Sequence, residues 1–125
     1  MSLSINSTVS TYPKWPYEKM ATAILGAKYE LSLSFIGTTR AHTLNMTYRK
    51  KTYIPNVLSF PLTDSVGEIY ICPEIAKLEA KNFNLSIEGY IAYLFIHGLV
   101  HLKGHDHGDT MEKLEQKFLR QFKIS

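Results

Sequence analysis

The apolar stretch from Tyr90 to Leu102 constrains the fold more than any other part of this sequence. Its apolar side chains fall on more than one face of a helix: Ile91, Ala92, Leu94, Phe95, Ile96, Leu99, Val100 and Leu102. Because such a helix has almost no face suited to water, it has to be buried. We therefore predict a central core helix on which the other elements pack, with Asn84 or Ser86 capping its start.

Three histidines lie in this predicted helix and just after it, in the stretch HGLVHLKGHDH. His97 and His101 are one helical turn apart on the same face, where two imidazoles can hold a single metal ion. Gly104 follows within one turn and is suited to end the helix and reverse the chain, which would bring back His107 as a third ligand. We predict that these three histidines bind one ion, Zn²⁺ or another divalent transition metal.

The histidine spacing matches the metalloprotease pattern H-E-x-x-H-x-x-G-x-x-H except at Gly98, where such a protease has glutamate. That glutamate takes the proton of the metal-bound water, so the metal site is retained here without the base of a peptidase. Structural zinc sites usually close with four protein ligands that include cysteine, and no cysteine lies near these histidines. We expect a catalytic site with an open fourth position, and a structural ion is the alternative.

Length and composition predict one domain over residues 1–125. The chain has 125 residues, 45% of them hydrophobic, which suits a single compact core. No window reaches the roughly 18 apolar residues of a membrane-spanning helix, and the N-terminus has no secretion-signal pattern. The single Cys72 excludes an internal disulfide and is compatible with a reducing compartment. We expect a cytoplasmic protein that is not associated with a membrane.

The positive charge is concentrated in one part of the chain. Between Leu31 and Thr63 there is no Asp or Glu, and four basic residues fall there: Arg40, Arg49, Lys50 and Lys51. Such a concentration favours a polyanionic partner, although a solvated basic loop is the simpler reading.

The remaining pattern predicts an α+β fold, a small mixed sheet of about four strands with helices packed on it. Alternation predicts strands over Ser2–Val9, Leu31–Phe35, Val57–Phe60 and Gly67–Cys72, with Pro61 and Pro73 stopping the last two. Helices are predicted from Pro13 or Pro16 to about Lys28, from a Thr38 or Thr39 cap to about Tyr48, from Pro73 to about Asn82, and after a capping box formed by Asp109 and Glu112.

Four blocks of this sequence together resemble the bacterial YbeY family of metal-dependent endoribonucleases. They are LNMTYR (Leu44 to Arg49), NVLSFP (Asn56 to Pro61), GEIYI (Gly67 to Ile71) and the histidine block, and the resemblance runs from about Leu44 to Phe118. It implies an α+β fold, a zinc-like ion on His97, His101 and His107, and a catalytic role for Arg49. It also implies a role in ribosomal RNA maturation, particularly at the small-subunit 3′ end, and in ribosome quality control.

The sequence departs from the family pattern at three positions. Pro55 stands where the family usually has Thr, Glu68 replaces Asp, and His105 replaces a Tyr beside the predicted site. An extra imidazole at His105 can compete as a ligand or shuttle protons. Asp106 can orient a ligand imidazole, stabilise the turn after Gly104, or act as a base, and the first two roles are favoured.

The leading hypothesis is a zinc-dependent hydrolase that cuts within single-stranded RNA, with ribosomal RNA and ribosomal particles as partners and no specificity for DNA. An ion-activated water would attack a phosphodiester while Arg49 stabilises the added negative charge. Arg40, Lys50 and Lys51 would grip the RNA backbone. The alternatives are a metal-dependent hydrolase of another substrate class and a non-catalytic ribosome-associated RNA-binding protein with a structural ion.

Overall fold

A computed structural model describes residues 1–104 and 108–125 and shows the predicted α+β fold. Four strands form one mixed sheet in the order β1-β2-β4-β3. Strands β1, β2 and β4 are parallel, and β3 runs antiparallel to β4 at the sheet edge. Their bounds are Ser2–Ser7 (β1), Glu30–Phe35 (β2), Val57–Thr63 (β3) and Val66–Ile71 (β4).

Five α-helices accompany the sheet in the described part of the chain. They are Tyr17–Leu25 (α1), Thr38–Arg49 (α2), Pro73–Glu79 (α3), Ile87–Leu102 (α4) and Asp109–Gln121 (α5), and α3 continues into a 3₁₀ turn at Ala80–Phe83. Helix α4 packs on β3, β4, α1, α3 and α5, so its predicted central position is confirmed. Its start is capped by Ser86, whose hydroxyl accepts a hydrogen bond from the Gly89 N–H at 2.9 Å.

The core lies between the sheet and α4. Along β2 the apolar residues Leu31, Leu33 and Phe35 are buried against the helices, whereas Ser32 and Ser34 are half-buried on the opposite face. This alternation is why the second strand could be read directly from the sequence. Strand β2 therefore presents an apolar face to the helices on the α4 side and a polar face away from them.

Gly98 lies where α4 packs tightly on β4. A Cβ atom at this position would be only 3.1 Å from Ile69 Cδ1 of β4. A longer side chain would push the helix off the sheet, which explains physically why no glutamate occupies the position that holds the base in a metalloprotease. The glycine thus serves helix–sheet packing.

We expect Gly98→Glu to destabilise the fold. The substitution adds steric overlap with Ile69 and buries an unpaired carboxylate, so the free energy of unfolding should fall by about 3 kcal/mol or more. Gly37→Ala is the matched control, because no atom lies within 4 Å of a Cβ added there, and it should cost about 1 kcal/mol at most. Urea denaturation followed by circular dichroism measures both. An unchanged unfolding midpoint in Gly98→Glu would refute this packing role.

Several predicted element boundaries are wrong. Pro61 does not stop β3, because β3 is an edge strand, where a residue without an N–H is tolerated; the pairing shifts between Pro61 and Thr63. Helix α2 is capped by the backbone of Gly37, with Thr38 already inside the helix. Helix α5 is capped by Gly108, so the predicted capping box does not form.

Two N-terminal boundaries also differ from prediction. Strand β1 ends at Ser7 rather than Val9, and α1 spans only Tyr17–Leu25 because Gly26, at φ 94°, ends it before Lys28.

Among the described residues, no single helix is long and apolar enough to cross a membrane. The helices Pro73–Phe83 and Ile87–Leu102 reach that length and apolar content only when taken together, and they meet at a bend of 102°.

Candidate active site

Arg49 and the two histidines of α4 line one cavity although they are far apart in sequence. The cavity has a volume of about 430 Å³. Helix α4 contributes His97 and His101, the last residue of α2 contributes Arg49, and β3 with the segment before it forms the remaining wall: Tyr53, Pro55, Asn56, Val57, Leu58 and Ser59. The fold therefore brings the predicted catalytic Arg49 together with two of the three predicted metal ligands, His97 and His101.

The two imidazoles lie next to each other on one face of α4. Their ring centroids are 4.8 Å apart and their planes meet at 82°. Both side chains are partly exposed, His97 by 18%. Two neutral imidazoles at this separation, open to a polar cavity, suit a shared transition-metal ion.

Glu115 of α5 contacts His97 and does not itself line the cavity. Its Oε2 contacts the Nδ1 atom of His97, and the carboxylate is only 6% exposed. An imidazole that donates Nδ1–H to a carboxylate keeps the lone pair of its other nitrogen, Nε2, for an ion. A buried carboxylate in this position therefore both orients the ring and selects the tautomer that can bind metal.

Sequence reasoning missed Glu115 and considered Asp106 for this kind of role. The available signal was periodicity: Glu115 lies on the apolar stripe of α5 between Met111 and the pair Phe118 and Leu119, all of which are buried. A carboxylate on an otherwise buried helix face requires a partner, because a buried charge without one is costly. That partner is on a different helix, so only the packing of α5 on α4 identifies it.

Tyr93 lies beside His97, and its hydroxyl holds its proton more tightly than an ordinary tyrosine does. The Tyr93 ring centroid lies 6.0 Å from that of His97. Burial, together with the charges of Glu115 and Glu112, raises the pKa of the Tyr93 hydroxyl to about 12. Tyr93 therefore stays neutral near pH 7 and keeps its hydroxyl proton beside the site.

Arg49 is held by a buried amide. Its Nη1 donates to Asn45 Oδ1 at 3.4 Å, while Asn45 Nδ2 donates to the Tyr53 carbonyl at 2.9 Å. The Asn45 side chain is fully buried, so it fixes the guanidinium relative to the segment that follows α2. Arg49 itself is exposed, and its other N–H groups are available to an anion in the cavity.

The wall formed by β3 is anchored by a second network. Asn56 Nδ2 and the Tyr90 hydroxyl both donate to Glu79 Oε1 at 3.0 Å, and Asn56 Oδ1 accepts from the Val57 N–H at 2.7 Å. Burial and the Glu79 carboxylate raise the pKa of Tyr90, so its hydroxyl remains a donor. This network fixes the start of β3 against α3 and α4 and keeps the cavity open at that side.

Of the three predicted RNA-binding residues, Lys50 and Lys51 lie beside Arg49, whereas Arg40 does not. Lys50 and Lys51 are exposed and follow Arg49 directly, Lys50 at the left-handed position that ends α2. Arg40 lies near the other end of α2, and the rise of an α-helix separates it from Arg49 by about 14 Å along the helix axis. It lines a different cavity together with Tyr70. The structure thus does not bring Arg40 to the histidines.

The predictions for His105, Asp106 and His107 concern residues outside those that the structure describes. Within residues 1–104 and 108–125, no three His, Cys, Asp or Glu side chains come together as a set of metal ligands. The third ligand therefore remains a prediction, as do the roles of His105 and Asp106.

Comparison with known proteins identifies the family. A family model described as Endoribonuclease YbeY matches residues 5–123. The chain belongs to the YbeY family. A YbeY relative from Finegoldia magna, named Endoribonuclease YbeY, is 41% identical over 69% of this chain and 61% of its own length. A relative of the same name from Methylobacillus flagellatus is 36% identical over 79% of this chain and 72% of its own length.

The fold of the YbeY-family chain is also similar to a solved structure. The solution structure of TM1509 from Thermotoga maritima aligns with a TM-score of 0.68 over 96% of this chain and 88% of that protein, at 24% identity. At this identity the likeness shows the fold alone. The family resemblance predicted from the four sequence blocks is confirmed. The chain spans less than two thirds of the length of the Finegoldia relative.

Proposed function

We propose that this YbeY-family chain is a metal-dependent endoribonuclease, a hydrolase that cleaves phosphodiester bonds within RNA. The observation that carries the proposal is the meeting of Arg49 with His97 and His101 in one cavity. The relatives named Endoribonuclease YbeY support the reaction class. We further propose ribosomal RNA as the substrate, with maturation of the small-subunit 3′ end and ribosome quality control in the cytoplasm as the setting.

The residues present fit one transition-metal ion. His97 and His101 offer nitrogen ligands, the buried Glu115 orients the first of them, and His107 is the proposed third ligand. Three nitrogen ligands without cysteine are typical of a catalytic zinc site with an open position. The chemistry that such an ion supplies when bound is polarisation of a phosphate oxygen and a water of lowered pKa.

Arg49 is proposed to stabilise the charge that builds on the phosphate during cleavage. A planar guanidinium presents paired donors that match two phosphate oxygens, and among residues 1–104 and 108–125 the hydrogen bond to Asn45 uses one N–H group of Arg49. Because Asn45 is fixed by the Tyr53 carbonyl, the arginine is in place before the substrate binds. Preorganised donors of this kind favour the transition state over the ground state.

A cleavage assay tests the proposed substrate. Precursor small-subunit rRNA with an unprocessed 3′ end and an unrelated RNA of the same length are incubated separately with the zinc-loaded chain. We expect internal cuts near the 3′ end of the precursor and much slower cutting of the unrelated RNA. Equal rates on both would contradict the ribosomal substrate, and no cutting of either would contradict the endoribonuclease itself.

Metal affinity tests the role of Glu115. We expect Glu115→Ala to weaken zinc binding about ten- to hundredfold, because the His97 ring loses the acceptor that orients it. Glu115→Gln keeps an acceptor oxygen of the same shape and should recover part of the affinity. Competition with a chromogenic chelator measures the dissociation constants. Glu112→Ala is the matched control, since Glu112 is exposed on the same helix; equal affinities in Glu115→Ala and Glu112→Ala would refute the positioning role.

Salt dependence tests the lysines beside Arg49. Lys50 and Lys51 are exposed at the edge of the cavity region, so replacing both with Ala should reduce the slope of log affinity against log salt by about one to two. Lys19 and Lys28, exposed on and after α1, provide a control pair of equal charge. RNA binding is measured at several salt concentrations. An identical slope in the two double variants would place the RNA away from Lys50 and Lys51.

A further inference from the structure

A row of aromatic rings crosses the face of the sheet that points away from α4. In the antiparallel pair, Phe60 lies opposite Glu68 and Leu58 opposite Tyr70, so these four side chains share one face. The Phe60 ring centroid is 5.9 Å from that of Tyr70 and 5.7 Å from that of Tyr48 at the end of α2. The row therefore runs from α2 over β3 to β4.

Core packing accounts for only part of the row. Tyr70 packs on the small core cluster of Ile36, Ala41 and Cys72, whereas Tyr48 and Phe60 belong to neither core cluster of the described residues. Tyr48 is 68% exposed, and Phe60 and Tyr70 are half-buried. Rings that served only to fill the core would be buried like Phe35 and Phe95 on the other side of the sheet. Exposed aromatic rings that contact one another on a sheet face are surfaces on which flat ligands can stack.

Both ends of the row meet a polar cavity. Tyr48 directly precedes Arg49, which lines the active-site cavity. Tyr70 lines a second cavity of about 400 Å³ together with Arg40 of α2. The apolar residues Phe35 and Ile36 also line it, and hydroxyl and amide groups from β1, β2 and the residue after β1 form the rest of the lining: Asn6, Ser7, Thr8, Ser32 and Ser34. The row thus connects the candidate active site to a second site with a cation and several hydrogen-bonding groups.

The charges along the row are compatible with a polyanion. Its acidic neighbour Glu68 accepts a hydrogen bond from the Tyr70 hydroxyl at 3.3 Å. Burial and Glu68 raise the pKa of that hydroxyl, whereas Arg40 lowers it by a smaller amount, so both charged side chains lie beside Tyr70. Arg40 and Arg49 consequently place a positive charge near each end of the row.

We propose that Tyr48, Phe60 and Tyr70 form a stacking track for unpaired RNA, which carries the substrate from Arg49 across the sheet to the Arg40 cavity. This inference rests on the proposed function. Only unpaired bases expose the faces that such rings bind, and four-stranded sheets with aromatic rings on one face stack two or three bases. The track also gives Arg40 a role in RNA binding although it lies far from the histidines.

Removing the ring faces tests the track. In Tyr48→Leu combined with Phe60→Leu, apolar volume is kept but stacking is lost, so the RNA concentration that half-saturates single-turnover cleavage should rise about fivefold to a hundredfold per ring. The saturated rate should stay within about twofold, since neither ring belongs to the proposed catalytic machinery. The probe is a single-stranded RNA of about twenty nucleotides, compared with the same RNA fully paired to its complement, which should not gain from the track.

Phe83→Leu is the matched control, because Phe83 is 50% exposed and lies in the 3₁₀ turn outside the row. The track is refuted if the double variant and Phe83→Leu half-saturate at the same RNA concentration while the parent chain cleaves RNA. Tyr48→Leu alone, at the most exposed ring, gives the same answer should the double variant fail to fold. If the parent chain cleaves no RNA, the proposed function itself fails, and the track fails with it.

Discussion

Replacing Arg49 with alanine is expected to lower the saturated rate of RNA cleavage about a hundred- to a thousandfold, while RNA affinity falls far less. The guanidinium is held by Asn45 in the cavity that also contains His97 and His101. Only an interaction that strengthens in the transition state accelerates the chemical step, and losing one such donor costs roughly 3 to 4 kcal/mol. Single-turnover cleavage at saturating enzyme, beside equilibrium RNA binding, separates the two effects.

Two further variants define the role of Arg49. Arg49→Lys restores the charge but not the paired donors, so it should recover only part of the rate. Arg120→Ala removes an exposed arginine of α5 that does not line the cavity and should leave cleavage unchanged. If Arg49→Ala loses affinity but keeps its saturated rate, Arg49 positions the RNA and has no catalytic role.

Replacing His97 or His101 with alanine is expected to remove bound zinc and cleavage together. Loss of a ligand should weaken zinc binding by more than the ten- to hundredfold expected for loss of the Glu115 acceptor. We expect the same of His107→Ala, whereas His105→Ala should retain the ion. Metal content after dialysis measures all four variants, with His42→Ala in α2 as the control. Full retention in His107→Ala with loss in His105→Ala would overturn the ligand assignment.

The fold could be predicted where local pattern and burial agree. Helix α4 is apolar nearly all round and is the central helix, and the alternation of Leu31, Leu33 and Phe35 defines β2. The errors lie where a neighbour in space decides. Pro61 is accommodated because β3 is at the sheet edge, and strand order is not visible in the sequence of β3 itself.

The site could be predicted only in part for the same reason. The spacing of His97 and His101 follows from one helix, so sequence alone pairs them. Glu115 meets His97 only because α5 packs on α4, and nothing in the spacing of the two residues indicates this contact. The aromatic row draws its rings from α2, β3 and β4, so it becomes visible only once the sheet is assembled.

The most direct test of the account is to restore zinc to the metal-stripped chain in steps while following the cutting of a circular single-stranded RNA. A circle has no ends, so any product requires an internal cut. We expect the stripped chain to be inactive and the cleavage rate to rise in proportion to bound zinc until one ion per chain is reached. A stripped chain that cuts the circle at the full rate, or a zinc-loaded chain that leaves the circle intact, would contradict metal-dependent RNA cleavage by this protein.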